Sequence, residues 1–137
     1  MNIVKLAKQT ATSAHAGHFR RDGVTTYITH PENVAARVAW LGSIYETVAW
    51  LHDVIEDTDI TLENLKELGF SFEVLLAVSL LTKKKGQSYK DYLESIKSNP
   101  VALGVKSADI MSNLSDSPTA RQVDKYTEGM KVLFGSI

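Results

Sequence analysis

The chain has 137 residues, close to the commonest size of one folded domain, so we expect a single domain over residues 1–137. Its 15 basic and 16 acidic residues give a net charge of −1, which argues against a general nucleic-acid-binding surface because such surfaces carry an excess of basic residues. The sequence lacks a membrane-length apolar stretch and an apolar signal-peptide segment, and its zero cysteines exclude disulfides and thiolate metal sites, so we expect a cytoplasmic protein without a membrane partner.

From the N-terminus onward, apolar residues recur at helical spacing. This spacing predicts helices over residues 2–17, 31–41, 44–57, 61–69, 71–82, 89–98, 100–114 and 119–134. Pro31 suits a first helical position, and Gly42 suits a C-terminal stop. Hydroxyl side chains that suit N-cap positions precede four of the later helices, namely Thr61, Ser71, Ser88 and Thr119.

Strand signals are poor, since the sequence has no alternating runs and no Asn-Gly hairpin turn. We therefore predict an all-α fold, a compact bundle of seven or eight helices. The irregular stretch is residues 19–29, with Asp22-Gly23 as its turn, and a binding site could lie in the loop before Pro31. We assign Trp40 and Trp50 to the core.

The segment LHDVIEDT, residues 51–58, places acidic and imidazole groups inside a helix that is otherwise built for burial. At helical spacing Asp53 and Asp57 lie one turn apart, as do His52 and Glu56. Three closely packed carboxylates repel one another, and a bound cation would relieve that repulsion. The residues alone leave two interpretations open: a metal or acid–base site, and an acid-rich C-terminal turn of the helix.

Two more residues attract attention for their position. His30 stands directly before Pro31, which favours an extended backbone at the mouth of a helix, although a lone histidine there is typical of a turn or cap residue. Asp109 falls among apolar positions of a predicted helix, with Lys106 one turn earlier and Asn113 one turn later. A ligand role and a structural lysine–aspartate pair are both open for Asp109.

Taken together, the order His…His-Asp…Asp resembles the metal signature of the HD-domain superfamily of helical phosphohydrolases. The segment AHAGHFRRDGVTTYITHPENVA resembles the entrance segment of RelA/SpoT-type (p)ppGpp hydrolases. LHDVIEDT resembles the HDxxEDT motif of that family, and KSADIMSN resembles its K-x-AD-x-x-x-N segment. The resemblance spans roughly residues 1–134 and is to the stand-alone small alarmone hydrolases, since no synthetase or regulatory segment is expected.

The resemblance implies a role for each matching residue. The metal ligands would be His30, His52, Asp53 and Asp109. Glu56 and Asp57 match the acidic pair that activates or orients the attacking water. Basic and polar residues match substrate contacts, namely Arg20, Arg21, Lys85, Lys106, Asn113 and Tyr126. For Lys83–Lys85 a solvated helix end is an equally good interpretation.

The activity implied by the resemblance is hydrolysis of the 3′-pyrophosphate of (p)ppGpp, giving GDP or GTP plus pyrophosphate. Two imidazoles and two carboxylates suit one Mn²⁺ per chain and could accept Zn²⁺, Fe²⁺ or Co²⁺. The expected partner is a small-molecule nucleotide, with no nucleic acid. The composition says nothing about the oligomeric state.

Three departures from the family pattern bear on the identity of the substrate. His18 replaces a glutamine, Thr26 replaces a proline, and Ile110 takes a position that often carries a basic residue. Two alternatives therefore stay open: hydrolysis of another nucleotide, such as the 2′-phosphate of NADPH, and a non-catalytic nucleotide-binding sensor. The sensor is disfavoured because Glu56 and Asp57 are both present.

Overall fold

The computed structural model describes residues 2–135, and this range contains nine α-helices and one 3₁₀ turn at Ala39–Leu41. In chain order the helices are α1 Ile3–Ala14, α2 Thr29–Val38, α3 Ser43–Leu51, α4 Val54–Asp57, α5 Leu62–Glu67, α6 Phe72–Leu81, α7 Tyr89–Ile96, α8 Pro100–Leu114 and α9 Ala120–Phe134. The single β contact over this range is an isolated bridge between Phe19 and Thr26. The predicted all-α fold is confirmed. None of the helices described is long and apolar enough to cross a membrane.

The later helices begin at the predicted hydroxyl caps, where each side-chain oxygen accepts a hydrogen bond from a free backbone N–H of the first turn. These caps are Thr61 for α5, Ser71 for α6, Ser88 for α7 and Thr119 for α9. Pro100 opens α8 behind an Asn99 cap. Local sequence chemistry therefore determines where the second half of the chain enters each helix.

The core is centred on α3, which contacts α1, α2, α6 and α8. Its residues from Thr47 to Leu51 are buried, and Trp50 is 5% exposed, as predicted. Fully buried side chains of other helices complete the core, among them Leu65, Leu93, Ile96 and Ile110. This packing places the C-terminal end of α3 in the middle of the molecule.

The predicted helix over residues 44–57 is interrupted, and this interruption corrects the sequence interpretation. α3 ends at Leu51 and α4 begins at Val54. In a continuous helix the Ala49 carbonyl would accept from the Asp53 N–H. Here it accepts from the backbone N–H of His52 at 3.4 Å and from the ring Nδ1–H of His52 at 2.6 Å.

His30 also differs from the prediction of an extended residue. α2 begins at Thr29, so His30 lies in the first helical turn, with its backbone N–H donating to the Tyr27 carbonyl at 2.9 Å. Pro31 is accommodated because the first turn of a helix does not need its missing N–H.

Trp40 was assigned to the core, and that assignment is wrong, since the side chain is 82% exposed. The prediction continued the helical spacing of α2 to residue 41. α2 ends at Val38, and the 3₁₀ turn that follows changes which side of the chain faces the core.

Candidate metal centre

Three separate elements bring four predicted ligands to one point. His30 comes from α2, His52 and Asp53 from the junction between α3 and α4, and Asp109 from α8. The Nε2 atom of His30 lies 2.7 Å from Oδ1 of Asp109, and Nε2 of His52 lies 3.4 Å from the same oxygen. Oδ2 of Asp53 lies 3.1 Å from Nε2 of His52 and 3.8 Å from Nε2 of His30.

Both imidazole rings are held by their outer nitrogens. Nδ1 of His52 donates to the Ala49 carbonyl, and Nδ1 of His30 lies 3.2 Å from Oγ of Ser112. Such contacts fix the tautomer and direct the other ring nitrogen inward, as is usual for histidine ligands of metals. Nε2 of His52 is buried and forms no hydrogen bond with any residue in the described part of the chain, so a cation that displaced its proton would meet a ligand nitrogen with no hydrogen bond to break.

Charge pairing dominates the electrostatics of this cluster. Burial by itself raises the pKa of the Asp53 and Asp109 carboxyl groups. For Asp53 the effect of His52 is stronger than that of burial and brings the pKa to about 2. Lys106, with its ammonium 2.8 Å from Oδ2, holds the pKa of Asp109 well below its usual value. Burial lowers the pKa of His52, yet Asp53 and Asp109 together hold it well above 6.5.

The buried group of His30, His52 and Asp109 could hold a metal ion, since one donor atom from each residue lies within 4.8 Å of the others. Asp53, which also lines the cavity, adds a fourth donor atom, an oxygen. Two nitrogen and two oxygen donors, with no thiolate, form a donor set that borderline divalent transition metals accept. The residues present therefore fit a divalent ion.

A cavity of about 350 Å³ opens beside the cluster. Most of the predicted site residues line it, namely Arg20, Arg21, His30, Asp53, Glu56, Asp57, Lys106, Asp109, Asn113 and Tyr126. Lys85 is exposed in the connection between α6 and α7 and does not line the cavity. The structure thus brings every predicted site residue to the cluster or the cavity wall except Lys85, with His52 in the cluster but buried behind the wall.

The two acidic residues of α4 differ in their surroundings. Oε1 of Glu56 accepts a hydrogen bond from the backbone N–H of Lys83 at 2.8 Å, which anchors this carboxylate to the end of α6. Burial, together with the charges of Asp53 and Glu56, raises the pKa of Asp57 to about 6. Asp57 can therefore change its protonation state close to neutral pH.

Three predicted substrate contacts are already engaged with protein groups. Lys106 forms the ion pair with Asp109, so the structural lysine–aspartate pair exists beside the ligand cluster. Asn113 donates to Oδ1 of Asp109 at 3.3 Å. Arg20 forms an ion pair with Asp116, with 2.9 Å between Nη2 and Oδ2. These contacts hold the side chains at the cavity wall.

Several residues of the site were missed by the sequence reasoning. The Tyr27 hydroxyl donates to Oδ2 of Asp53 at 2.5 Å, and the available signal was its place in YITHP. Gln122 and Lys125 line the cavity beside Tyr126, and their spacing along α9 could have indicated a shared face. Phe19 and Tyr89 complete the missed lining, and no sequence signal marked them.

Comparison with known proteins adds several relatives, although no family model matches the chain. The guanosine-3′,5′-bis(diphosphate) 3′-pyrophosphohydrolase MESH1 of Mus musculus is 34% identical over 139 residues, which cover 89% of this chain and 77% of that protein. The probable GTP pyrophosphokinase of Mycobacterium leprae is 34% identical over 147 residues, covering 97% of this chain and 18% of that protein. This chain thus spans less than a fifth of the length of that longer relative.

A second bacterial relative is the guanosine-3′,5′-bis(diphosphate) 3′-pyrophosphohydrolase of Aquifex aeolicus, 32% identical over 81% of this chain and 17% of that protein. Among solved structures, one described as a metazoan ortholog of SpoT that hydrolyses ppGpp matches with a TM-score of 0.80 and 25% identity, covering 97% of this chain and 84% of that one. The chain belongs to the HD-type guanosine-3′,5′-bis(diphosphate) 3′-pyrophosphohydrolase family.

Proposed function

We propose that the chain hydrolyses the 3′-pyrophosphate of (p)ppGpp to GDP or GTP plus pyrophosphate, using one divalent metal ion held by His30, His52, Asp53 and Asp109. The observation that supports this most strongly is the convergence of these side chains beside a cavity lined by both acidic and basic groups. MESH1 of Mus musculus, similar over 89% of this chain, is named for the same reaction.

Mn²⁺ is the ion we propose, because a mixed set of two imidazoles and two carboxylates suits it, with Zn²⁺, Fe²⁺ or Co²⁺ as alternatives. Such an ion lowers the pKa of a coordinated water and polarises a phosphoryl oxygen. The contacts of the outer ring nitrogens to Ala49 and Ser112 would keep both histidines oriented for it.

Glu56 and Asp57 would orient the attacking water and receive its proton, with a different share of the work for each. Both carboxylates line the cavity one turn after His52 and Asp53. A general base works best when its pKa lies near the working pH, and the pKa of Asp57 is raised to about 6. The Lys83 N–H holds the Glu56 carboxylate in place, so Glu56 would orient the water and Asp57 would take its proton.

The remaining lining residues would hold the nucleotide. Arg20 and Arg21 lie in the segment that precedes α2, and Tyr126 lines the same cavity from α9. Guanidinium groups bind phosphate oxygens through paired hydrogen bonds, so we assign the phosphates to the arginine side. Asn113 would contact the substrate near Asp109, and Lys106 would act mainly by neutralising that carboxylate.

The test uses the full chain, Mn²⁺ and a panel of nucleotides that includes ppGpp and NADPH. Pyrophosphate released from ppGpp is the expected result. His52→Ala should abolish both metal content and activity, whereas His18→Ala, a change of an exposed histidine outside the cavity, should preserve the metal content. Release of inorganic phosphate from NADPH without any pyrophosphate from ppGpp would overturn the substrate, and unchanged metal content in His52→Ala would overturn the site.

Some expectations from the sequence stay predictions. These are a single domain over residues 1–137, a cytoplasmic location, the lack of nucleic-acid and membrane partners, and a substrate contact by Lys85. The exposed position of Lys85 outside the cavity lining gives that last contact no support.

A further inference from the structure

The hydroxyl of Tyr27 connects two parts of the site that are distant in sequence. It donates to Oδ2 of Asp53, the oxygen that lies 3.1 Å from Nε2 of His52. Tyr27 belongs to the segment between α1 and α2, whereas Asp53 belongs to the junction between α3 and α4. A single hydrogen bond therefore joins this segment to a proposed metal ligand.

Residues 18–28, which we call the entrance loop, form a compact hairpin rather than a loose connection. The backbone N–H of Arg20 donates to the Thr25 carbonyl at 2.8 Å, and that of Tyr27 donates to the His18 carbonyl at 2.8 Å. At the tip, Oδ1 of Asp22 accepts from the N–H groups of Val24 and Thr25, each at 2.8 Å. The hairpin carries Arg20 and Arg21 at the cavity, and Tyr27 stands at its base.

Two histidine rings lie against the ring of Tyr27. The ring of His15, which is 2% exposed, lies 4.8 Å away between centroids, and the ring of His30 lies 5.8 Å away. Neither nitrogen of His15 forms a hydrogen bond with a residue in the described range, so His15 meets Tyr27 through its ring surface. This packing leaves the hydroxyl little freedom to point away from Asp53.

We propose that Tyr27 is a positioning residue that couples the entrance loop to the metal centre. The proposal rests on the proposed function. The hydroxyl holds the Asp53 carboxylate against the two imidazoles, and the occupied centre in turn holds the base of the hairpin, with Arg20 and Arg21, in place. Coupling of this kind is reciprocal: the free energy by which the ordered loop favours metal binding equals the free energy by which bound metal favours the ordered loop.

The test compares Tyr27→Phe with wild type and with Tyr45→Phe. Tyr45 is a partly buried tyrosine that packs beside Gly104, outside the cavity. Partners that orient metal ligands typically contribute about 10- to 100-fold to affinity or activity. We therefore expect Tyr27→Phe to raise the dissociation constant for Mn²⁺ about 10-fold or more by calorimetry, and Tyr45→Phe to leave it unchanged.

Two further readouts separate positioning from a general loss of structure. In wild type, Mn²⁺ should slow hydrogen exchange at the backbone amides of the entrance loop, and in Tyr27→Phe this protection should be lost while α8 stays protected. At saturating Mn²⁺, Tyr27→Phe should raise KM for ppGpp several-fold and change kcat less, because the arginines are less well placed before the reaction begins.

Equal Mn²⁺ affinity and equal loop protection in wild type and Tyr27→Phe would overturn the inference and leave the proposed function intact. A wild-type protein that binds no Mn²⁺ would overturn the proposed function and this inference with it. Mn²⁺ binding weakened equally by Tyr45→Phe would show a general packing effect, which also overturns a specific role for Tyr27.

Discussion

Glu56 and Asp57 are adjacent carboxylates with different tasks in the proposed reaction. Replacing each with its amide, Glu56→Gln or Asp57→Asn, keeps its shape and removes its basicity. We expect both variants to lose most of their kcat, by roughly 10²- to 10⁴-fold for Asp57→Asn, the usual cost of losing a general base, while the metal content stays at the wild-type level. Steady-state kinetics and elemental analysis on the same samples measure both quantities.

Arg20→Ala provides the contrasting variant. Arg20 is expected to bind the ground state and the transition state equally, so its loss should raise KM and preserve kcat. Near-wild-type turnover in both amide variants would leave the acidic pair with a structural role, and water activation would then fall to the metal alone.

The buried His15 should make the free energy of unfolding depend on pH. Burial lowers its pKa from 6.5 to about 4, so the unfolded chain takes up a proton near pH 6.5 and the folded chain does not until about pH 4. Acidification through this window therefore favours unfolding, by at most about 3 kcal/mol. Denaturant unfolding at pH 7 and pH 5 should show a smaller loss of stability for His15→Leu than for wild type.

The control for His15 is its exposed neighbour His18. His18→Leu should retain most of the wild-type loss of stability between the two pH values, because burial is the main cause of the low pKa of His15. An equal pH dependence in His15→Leu and wild type would mean that His15 is protonated in the folded protein.

Some residues of the site could be predicted from the sequence and others could not, for a physical reason. His52, Asp53, Glu56 and Asp57 share one segment of eight residues, 51–58, so their chemistry is visible locally. Tyr27 meets Asp53 across 26 positions, and such a contact depends on how the segment before α2 packs against the junction between α3 and α4. Helical spacing carries no information about that packing.

At the level of elements, the interruption between α3 and α4 is what allows two consecutive residues to face one point. In a continuous α-helix, consecutive side chains diverge by about 100°, so His52 and Asp53 could not both aim at the same ion. The Nδ1–H of the His52 ring donates to the Ala49 carbonyl at 2.6 Å, and α3 ends at this point. Periodicity predicted the helix on both sides of the interruption. It could not predict that a side chain would compete with a backbone N–H for the Ala49 carbonyl.

The turn before α3 offers a clean test of backbone strain. Gly42 has φ 122° and ψ 170°, a conformation open almost only to glycine, and an added Cβ would meet nothing within 4 Å. Gly42→Ala should therefore cost about 1 to 3 kcal/mol of unfolding free energy through the backbone alone. Urea denaturation measures this, with Ser43→Ala, an exposed neighbour, as the near-neutral control. A neutral Gly42→Ala would show that the turn adopts another backbone conformation at no cost.

For the whole molecule, metal binding and folding should be linked. The proposed ligands come from α2, α8 and the α3–α4 junction, so the unfolded chain does not present them together. Mn²⁺ at 100 times its dissociation constant should add about 2.7 kcal/mol of stability, which for a chain of this size raises Tm by about 10 °C. Thermal unfolding with and without Mn²⁺ measures this shift. His52→Ala should show none, and a Tm of wild type that ignores Mn²⁺ would contradict the linkage.

Trp40 is 82% exposed and Trp50 is 5% exposed, so the intrinsic fluorescence of the protein should have two distinguishable components. Indole emission moves to longer wavelength in water, and a soluble quencher reaches the water-facing ring first. Trp40 should therefore account for the red, quenchable part of the fluorescence, and Trp50 for the blue, protected part. Trp40→Phe leaves a single emitter in α3, the helix that ends at the metal ligand His52. Refolding or metal titration of that variant can then be followed by light from the centre of the molecule.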